Sequence, residues 1–343
     1  VVTLRFLTPF AFLALLPLGG WLGGAWTFMA AGATPLFLAS LDSALGVDRA
    51  PPDLKALTIP RWVPRLYLIL QLAVNVWAAA WVSKPSTTLV EAVGVAVSSG
   101  ITTGVFGFIA AHEMIHSPAR RERALGLALL GSVLYMHFRI SHVHGHHHRA
   151  GTFDDPASAR LGEGLYAFLV RSVAGQFGEA WRFEANRRLR TGKRVIGTGN
   201  RVIVYLAIEA AFLFALLLTS SRAFFFFILV AMIAVFLLEA FNYVAHYGLT
   251  RAVGPDGRIE RIAPCHSWNS RRRMNNAALL NMGRHSDHHR FMTRSYEGLE
   301  EVSGGSQLPS GYAAALLAAL IPQLWHRIMA PRAKAAMAQH RAR

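Results

Sequence analysis

Six long apolar runs constrain this chain more than any other feature: residues 6–22, 24–45, 63–83, 87–111, 201–219 and 223–246. Each is near the ~20 residues that carry an α-helix across ~30 Å of hydrocarbon. A backbone in lipid must satisfy its own hydrogen bonds, so runs of this kind cross as helices. The expectation is an all-α, polytopic membrane protein with six transmembrane helices, forming a single membrane-embedded domain over residues 1–343. Composition agrees, with 53% apolar and 16% charged residues against roughly 45–50% and 25% in soluble domains. That balance excludes an ordinary water-soluble enzyme and a disordered chain.

The runs pair into hairpins joined by Gly23-Gly24, Lys84-Pro85-Ser86 and Ser220-Ser221-Arg222, none with more than one charge. The remaining connections, 46–62, 112–200 and 247–343, are long and basic. Arg49, Lys55, Arg61 and Arg65 flank the first, and Arg187, Arg188, Arg190, Lys193 and Arg194 crowd the end of the second. The formal charge of +16 therefore sits in the long loops. The positive-inside rule then puts both termini and all long loops in the cytoplasm, as expected for a multi-pass protein of the cell's inner membrane. No motif supports nucleic-acid binding. No cleavable signal peptide is expected, because the run after Arg5 leads straight into another, as retained spans do.

Three weaker stretches read as helices lying on or dipping into the membrane. They are 124–138, too short to cross; 163–192, where Phe, Leu and Trp mix with Arg and Glu at helical spacing; and 311–330, interrupted by Pro322. One cysteine, Cys265, excludes a disulfide framework, an iron–sulfur cluster and a fused rubredoxin.

Of the fifteen histidines, eleven fall in four main clusters. In His112-Glu113-Met114-Ile115-His116 the imidazoles lie at i and i+4 on one helical face, which taken alone also fits a zinc hydrolase with Glu113 as base. His142, His144, His146, His147 and His148 form the second cluster. His246 ends the sixth run, and His285, His288 and His289 lie in the last loop at spacings that share a helical face. A lone histidine is an ordinary surface or core residue. Four clusters assigned to one membrane face, two of them at span ends, are costly unless they act. Imidazole without thiolate suits Fe, Cu, Zn and Ni, and the donors suffice for two metal ions.

These strings, with Thr152-Phe-Asp-Asp155-Pro156, Asn242-Tyr243, His266-Ser-Trp-Asn269 and Leu308-Pro-Ser-Gly-Tyr312, resemble the integral-membrane di-iron alkane 1-monooxygenases over essentially the whole chain. The family lies within the fatty acid desaturase/hydroxylase-like superfamily. The resemblance implies six spans and a cytoplasmic, histidine-rich di-iron cap built from segments 112–200 and 247–343. It implies two irons held by His112, His116, His142, His146, His147, His246, His285, His288 and His289. Glu113, Asp155, Asp287 and His266 become candidate supports for those rings. His137, His144 and His148 have no ligand position in the pattern, and His326 and His340 read as ordinary residues. The implied reaction is hydroxylation of the terminal carbon of n-alkanes with O2 as co-substrate. No flavin, haem or NAD is bound directly. Electrons come from rubredoxin, a small acidic protein drawn to the basic face that includes Arg187 to Arg194. Trp21, Trp26 and Phe28 are candidate pocket walls for the hydrocarbon, beside the plainer reading of packing or lipid-facing aromatics.

Two positions depart from the family pattern. Ser141 and Ala245 stand where glutamates usually precede ligand histidines. They keep open a methyl-aromatic (xylene-type) hydroxylase, or an acyl-lipid hydroxylase or desaturase, on the same core. A metal transporter would need ionisable residues lining a path at mid-span. The later spans offer only Glu91, Glu209 and Glu239, each isolated or near an end.

Overall fold

The computed structural model describes residues 3–48 and 62–342. Arg49, Lys55 and Arg61, counted above among the flanking charges, lie outside them. The helices are α1 (Thr8–Leu22), α2 (Met29–Leu45), α3 (Trp62–Val82), α4 (Leu89–Thr102), α5 (Phe108–Ile115), α6 (Arg120–Ser132), α7 (Phe138–Ser141), α8 (His147–Arg149), α9 (Leu165–Leu189), α10 (Arg201–Thr219), α11 (Ser221–His246), α12 (Arg273–Ala278), α13 (His285–Arg290), α14 (Tyr312–Ala319) and α15 (Pro322–Arg341). Two short strands, β1 (Trp268–Asn269) and β2 (Ser306–Gln307), pair in parallel with Trp268 opposite Ser306. Two π turns interrupt this pattern, at Thr103–Gly107 between α4 and α5 and at His142–His146 between α7 and α8.

Among the described residues six segments are long and apolar enough to cross a membrane: Leu4–Leu22, Gly24–Leu45, Trp62–Val82, Leu89–Ile115, Arg201–Thr219 and Ser221–His246. The fourth runs past residue 111 because the helix continues through His112 and Glu113. It is also the most enclosed, 72% buried, whereas Arg201–Thr219 is 17% buried and presents its apolar surface outward to lipid. The chain divides into two compact units, one comprising Val1–Phe37, Ile59–Arg139 and Ala180–Leu238, the other Leu38–Thr58, Ile140–Glu179 and Glu239–Arg343.

In the first unit the three hairpin tips are pinned by the few polar groups they carry. Thr88 and Glu91 form a reciprocal capping box at the start of α4, and Glu91 Oε1 also accepts the Gly24 N–H at 2.8 Å. Arg222 donates to the carbonyls of Lys84 and Thr87, both at 2.9 Å, and Ser83 and Ser220 hydroxyls meet at 2.7 Å. Midway along α3 a polar ladder runs inside the bundle. Tyr67 donates to Gln71 at 2.8 Å, Gln71 to Asn75 at 2.9 Å, and Asn75 to Thr103 at 3.3 Å. Ser99 donates to Asn75 at 2.6 Å. The ladder ends on the π turn, whose Gly104 lets α11 approach so closely that a Cβ would meet Ala234 Cα at 2.9 Å. Gly126 does the same for α6 against α5, where a Cβ would sit 2.9 Å from the Ala111 carbonyl oxygen. The π turn and these contacts set the rotation at which α5 presents its last turn.

The second unit holds much irregular backbone, and buried side chains tie it down. Asp42 accepts the Asn275 N–H at 2.7 Å, and Asn275 accepts the Tyr312 N–H at 2.8 Å. Trp268 Nε1 donates to the Tyr247 carbonyl at 2.9 Å, Tyr312 Oη to the Trp268 carbonyl at 2.6 Å, and Tyr243 Oη to the Glu163 carbonyl at 2.7 Å. The expected single helix over 311–330 is corrected: Pro322 opens α15, since its ring lacks an N–H that the first turn does not need, and α15 then runs to Arg341. Trp325, Met329, Ala333 and Met337 repeat every fourth residue along it and are buried.

Candidate metal centre

The second histidine cluster folds as the π turn, and this decides where its rings go. The His147 N–H reaches back to the His142 carbonyl, an i→i+5 bond. On a regular α-helix residues five apart point roughly 140° away from each other. The wider turn returns them to one side, and His147 Nε2 lies 3.1 Å from His142 Nε2. His146 is thereby directed elsewhere. Gly145 makes the turn's approach to α9 possible, because a Cβ there would enter the Glu179 carboxylate.

Within the second unit the rings sort into two buried sets. His288 Nε2 lies 3.1 Å from His147 Nε2, so His142, His147 and His288 converge. His285 Nε2 lies 3.2 Å from both His246 Nε2 and His289 Nε2, and His146 joins these three within 4.8 Å. On α13 the i, i+4 pair His285 and His289 serves one set and His288 the other. In the first unit His112 and His116 end α5, both buried, with ring centroids 4.7 Å apart.

Hydrogen bonding does not account for this packing. A ring nitrogen offers one in-plane lone pair or one N–H, yet His147 Nε2 and His285 Nε2 each face two other Nε2 atoms. Ligands about 2.1 Å from a shared ion, set at right angles to the tetrahedral angle, stand roughly 3.0–3.4 Å apart, which is the separation found. His146 Nε2 is buried and has no hydrogen-bond partner among the described residues. Burial, then the neighbouring His285, His147, His246 and His146 rings, push His289 well below its ordinary pKa, so it stands neutral with its lone pair available. The donor set fits two imidazole-bound ions.

The far sides of two rings are fixed. Asp155 Oδ2 faces His146 Nδ1 at 2.8 Å, accepts from Ser158 at 2.6 Å, and its partner oxygen accepts the Ala157 N–H at 3.1 Å. Burial alone would raise Asp155, but His146 and Ser158 outweigh it and keep the carboxyl below its usual range. His246 Nδ1 donates to the His266 carbonyl at 3.2 Å. His266 thus meets a ring through its backbone, while its own side chain turns toward Glu260. The Asp287 carboxylate holds the loop after α13, accepting from Arg294 at 2.7 Å and the Glu300 N–H at 2.9 Å. Glu113 is buried in α5. Trp21 and Trp26 are 81% and 58% exposed and Phe28 is half-buried. Sequence reasoning gave no role to Asn269. Its Oδ1 accepts the Ser286 N–H at 2.9 Å and its Nδ2 donates to Ser286 Oγ at 2.7 Å, anchoring the first turn of α13. Its place in the His266-Ser-Trp-Asn269 string was the available signal.

Residues 86–314 match the fatty acid desaturase family model. Alkane 1-monooxygenase 1 of Pseudomonas aeruginosa is 39% identical over 308 residues, 86% of this chain and 80% of that protein. The chain belongs to the alkane 1-monooxygenase family. A second member, alkane 1-monooxygenase 2 of Pseudomonas aeruginosa, is 36% identical over 326 residues, 91% of this chain and 85% of its own length. More distant is the xylene/toluene monooxygenase hydroxylase component XylM of Pseudomonas putida, 26% identical over 322 residues, 91% of this chain and 84% of that protein. As in the sequence reading, the chain is a multi-pass membrane oxidoreductase with a buried histidine cluster suited to metal.

Proposed function

We propose that this protein is a di-iron monooxygenase that hydroxylates the terminal carbon of n-alkanes to 1-alkanols, with O2 and two electrons from rubredoxin. The observation that carries the reading is the pair of converging Nε2 sets, spaced for metal ions and built without thiolate. Family membership points to iron and to alkanes. In this reading His146, His246, His285 and His289 hold one iron. His142, His147 and His288 belong to the other, and His112 and His116 are the two further ligands that the family resemblance implies.

Two irons bound there supply the reduction of O2 and the oxidation of an unactivated C–H bond. The rest falls to the chain. The overall balance is RH + O2 + 2 e⁻ + 2 H⁺ → ROH + H2O. With one cysteine the chain has too few thiolates for an iron–sulfur cluster of its own, so the electrons arrive from a partner. Asp155 and the His266 carbonyl keep the Nδ1 protons of His146 and His246, leaving each Nε2 as a bare donor. An alkane carries no group to hydrogen-bond. It partitions into the bilayer and reaches the centre from the membrane, which matches the exposed apolar spans. The orientation proposed has the centre and both termini on the cytoplasmic side of the inner membrane, where rubredoxin is available.

The similarity to XylM favours methyl-aromatic hydroxylation as the second reading. Purified protein with rubredoxin and its reductase, offered octane, xylene and an acyl lipid, separates them. The expected result is about two irons per chain and 1-octanol as the main product. Turnover of xylene or lipid without octane overturns the alkane assignment and leaves the iron assignment standing. His288→Ala should lose iron and activity yet remain in the membrane; full iron content in that variant overturns the ligand set.

A further inference from the structure

Beyond the two histidine sets, the second unit holds another group of metal-binding side chains, with different chemistry. Cys265, His266 and His340 each offer one donor atom, and these atoms lie within 4.8 Å of one another. Glu260 stands between the two rings, with Oε1 2.9 Å from His266 Nε2 and Oε2 3.1 Å from His340 Nε2. Cys265 is 8% exposed and His266 is fully buried. The Glu260 oxygen near His266 lies off the hydrogen-bonding direction of Nε2, so this buried nitrogen has no aligned partner among the described residues.

We propose that Cys265, His266 and His340, with Glu260, form a third metal site that takes one thiophilic divalent ion of the zinc class. One thiolate, two imidazoles and a carboxylate are a zinc donor set, whereas the nine-histidine centre has no sulfur. Charge balances: thiolate and carboxylate together neutralise a divalent ion. Arg251 bonds the Glu260 main-chain carbonyl through Nε at 2.7 Å, and the carboxylate, which faces both histidines, is steadied by the Ala252 N–H donating to Oε1 at 2.8 Å. Binding releases the Cys265 proton to water and moves the His266 ring proton from Nε2 to Nδ1. The Ala263 N–H, which donates to Nδ1 at 2.9 Å, then loses its acceptor. Loss of that one hydrogen bond is small beside the binding of an ion by four protein ligands. Donor atoms around a tetrahedral ion stand roughly 3.3–3.7 Å apart, so the cluster must contract by about 1 Å. The ion would join the end of α15, which carries His340, to the turn whose His266 carbonyl receives His246. Its role would be to hold that support in place.

The test uses the iron-loaded protein in detergent. Metal analysis should find one zinc beyond the irons, or uptake of one equivalent of added Zn²⁺. Replacement by Co²⁺ should give thiolate-to-cobalt charge-transfer absorption, a signature the histidine centre cannot produce. Cys265→Ser should abolish that band with iron content unchanged. His340→Ala, at a half-exposed position near the chain end, should shift and weaken it, and it serves if the cysteine variant does not fold. No uptake beyond the irons, cobalt uptake without the thiolate band, or a band unaltered in both variants overturns the site. None of these outcomes bears on the iron assignment or on the substrate.

Discussion

The two residues most open to test by single substitution are Asp155 and His137. Asp155 touches no substrate; it is a positioning residue that holds the His146 Nδ1 proton from a fully buried position. Asp155→Asn removes the charge and puts a donor among the Ser158 and Ala157 donors, so His146 loses its fixed orientation. Iron affinity should fall about 10–100-fold, read by equilibrium dialysis against a chelator; unchanged affinity would deny the carboxylate this role. His137 lies in the first unit beside Tyr135, with ring centroids 4.5 Å apart. Burial pushes it from its ordinary 6.5 down to about 4. The unfolded chain takes up this proton as pH falls through 6.5, the folded chain only near 4. Stability is therefore present above pH 6.5 and drains away between 6.5 and 4, by roughly 3 kcal/mol in all. His137→Gln should flatten the fall in thermal midpoint across that interval. A wild-type slope retained in the variant assigns the acid sensitivity to other groups.

At the scale of elements, the two π turns do work that the sequence concealed. Apolar length alone revealed the six spans, and histidine spacing revealed the clusters. The split of His146 and His147 into different sets was not legible, because it depends on one i→i+5 turn that propensity does not mark. Asn269 was equally hidden, since its importance lies in contacts with a helix seventeen residues away. Glu91, Glu209 and Glu239, which a transporter would need along a path, instead bond a hairpin tip, the turn before α7 and side chains within α9. Glu91 caps α4, Glu209 accepts the Met136 N–H at 2.8 Å, and Glu239 accepts from Ser172 at 2.6 Å and Gln176 at 2.8 Å. The π turn at the second histidine cluster makes a direct prediction. In Gly145→Ala the new methyl displaces Glu179 and with it the packing of the turn on α9. About 1–3 kcal/mol of stability should be lost. Because the displaced element carries ligands of both sets, iron stoichiometry should fall as well, measured by metal analysis of membrane-extracted protein. A variant that loses stability but keeps its iron would show that the turn's geometry is maintained without Gly145.

For the whole molecule the dominant feature is charge, +16 in all and concentrated outside the spans. At the short hairpin tips Arg222 is structurally committed, bonding the Lys84 and Thr87 carbonyls. The expected basic face divides in the same way. Glu184 is buried, and hydrogen bonds from Arg187 and Arg201 outweigh the upward push of burial and hold it at about 2. Arg187 is thus part of the fold, and reversing its charge would strand a buried carboxylate. Arg190, Lys193 and Arg194 are exposed, so these three are the cations of the stretch available to the proposed acidic donor protein. Reversing them together to glutamate should lower kcat/KM for rubredoxin at low salt by about tenfold or more, since steering acts mainly on the association rate. The KM for octane should not change. In the wild type the rate should fall as ionic strength rises, because exposed charges are screened beyond ~10 Å at 0.1 M salt; in the triple variant that dependence should flatten. If both proteins respond to salt alike, the three cations serve topology and the anionic headgroups of the inner leaflet, and the electron donor must dock through another part of the cytoplasmic surface.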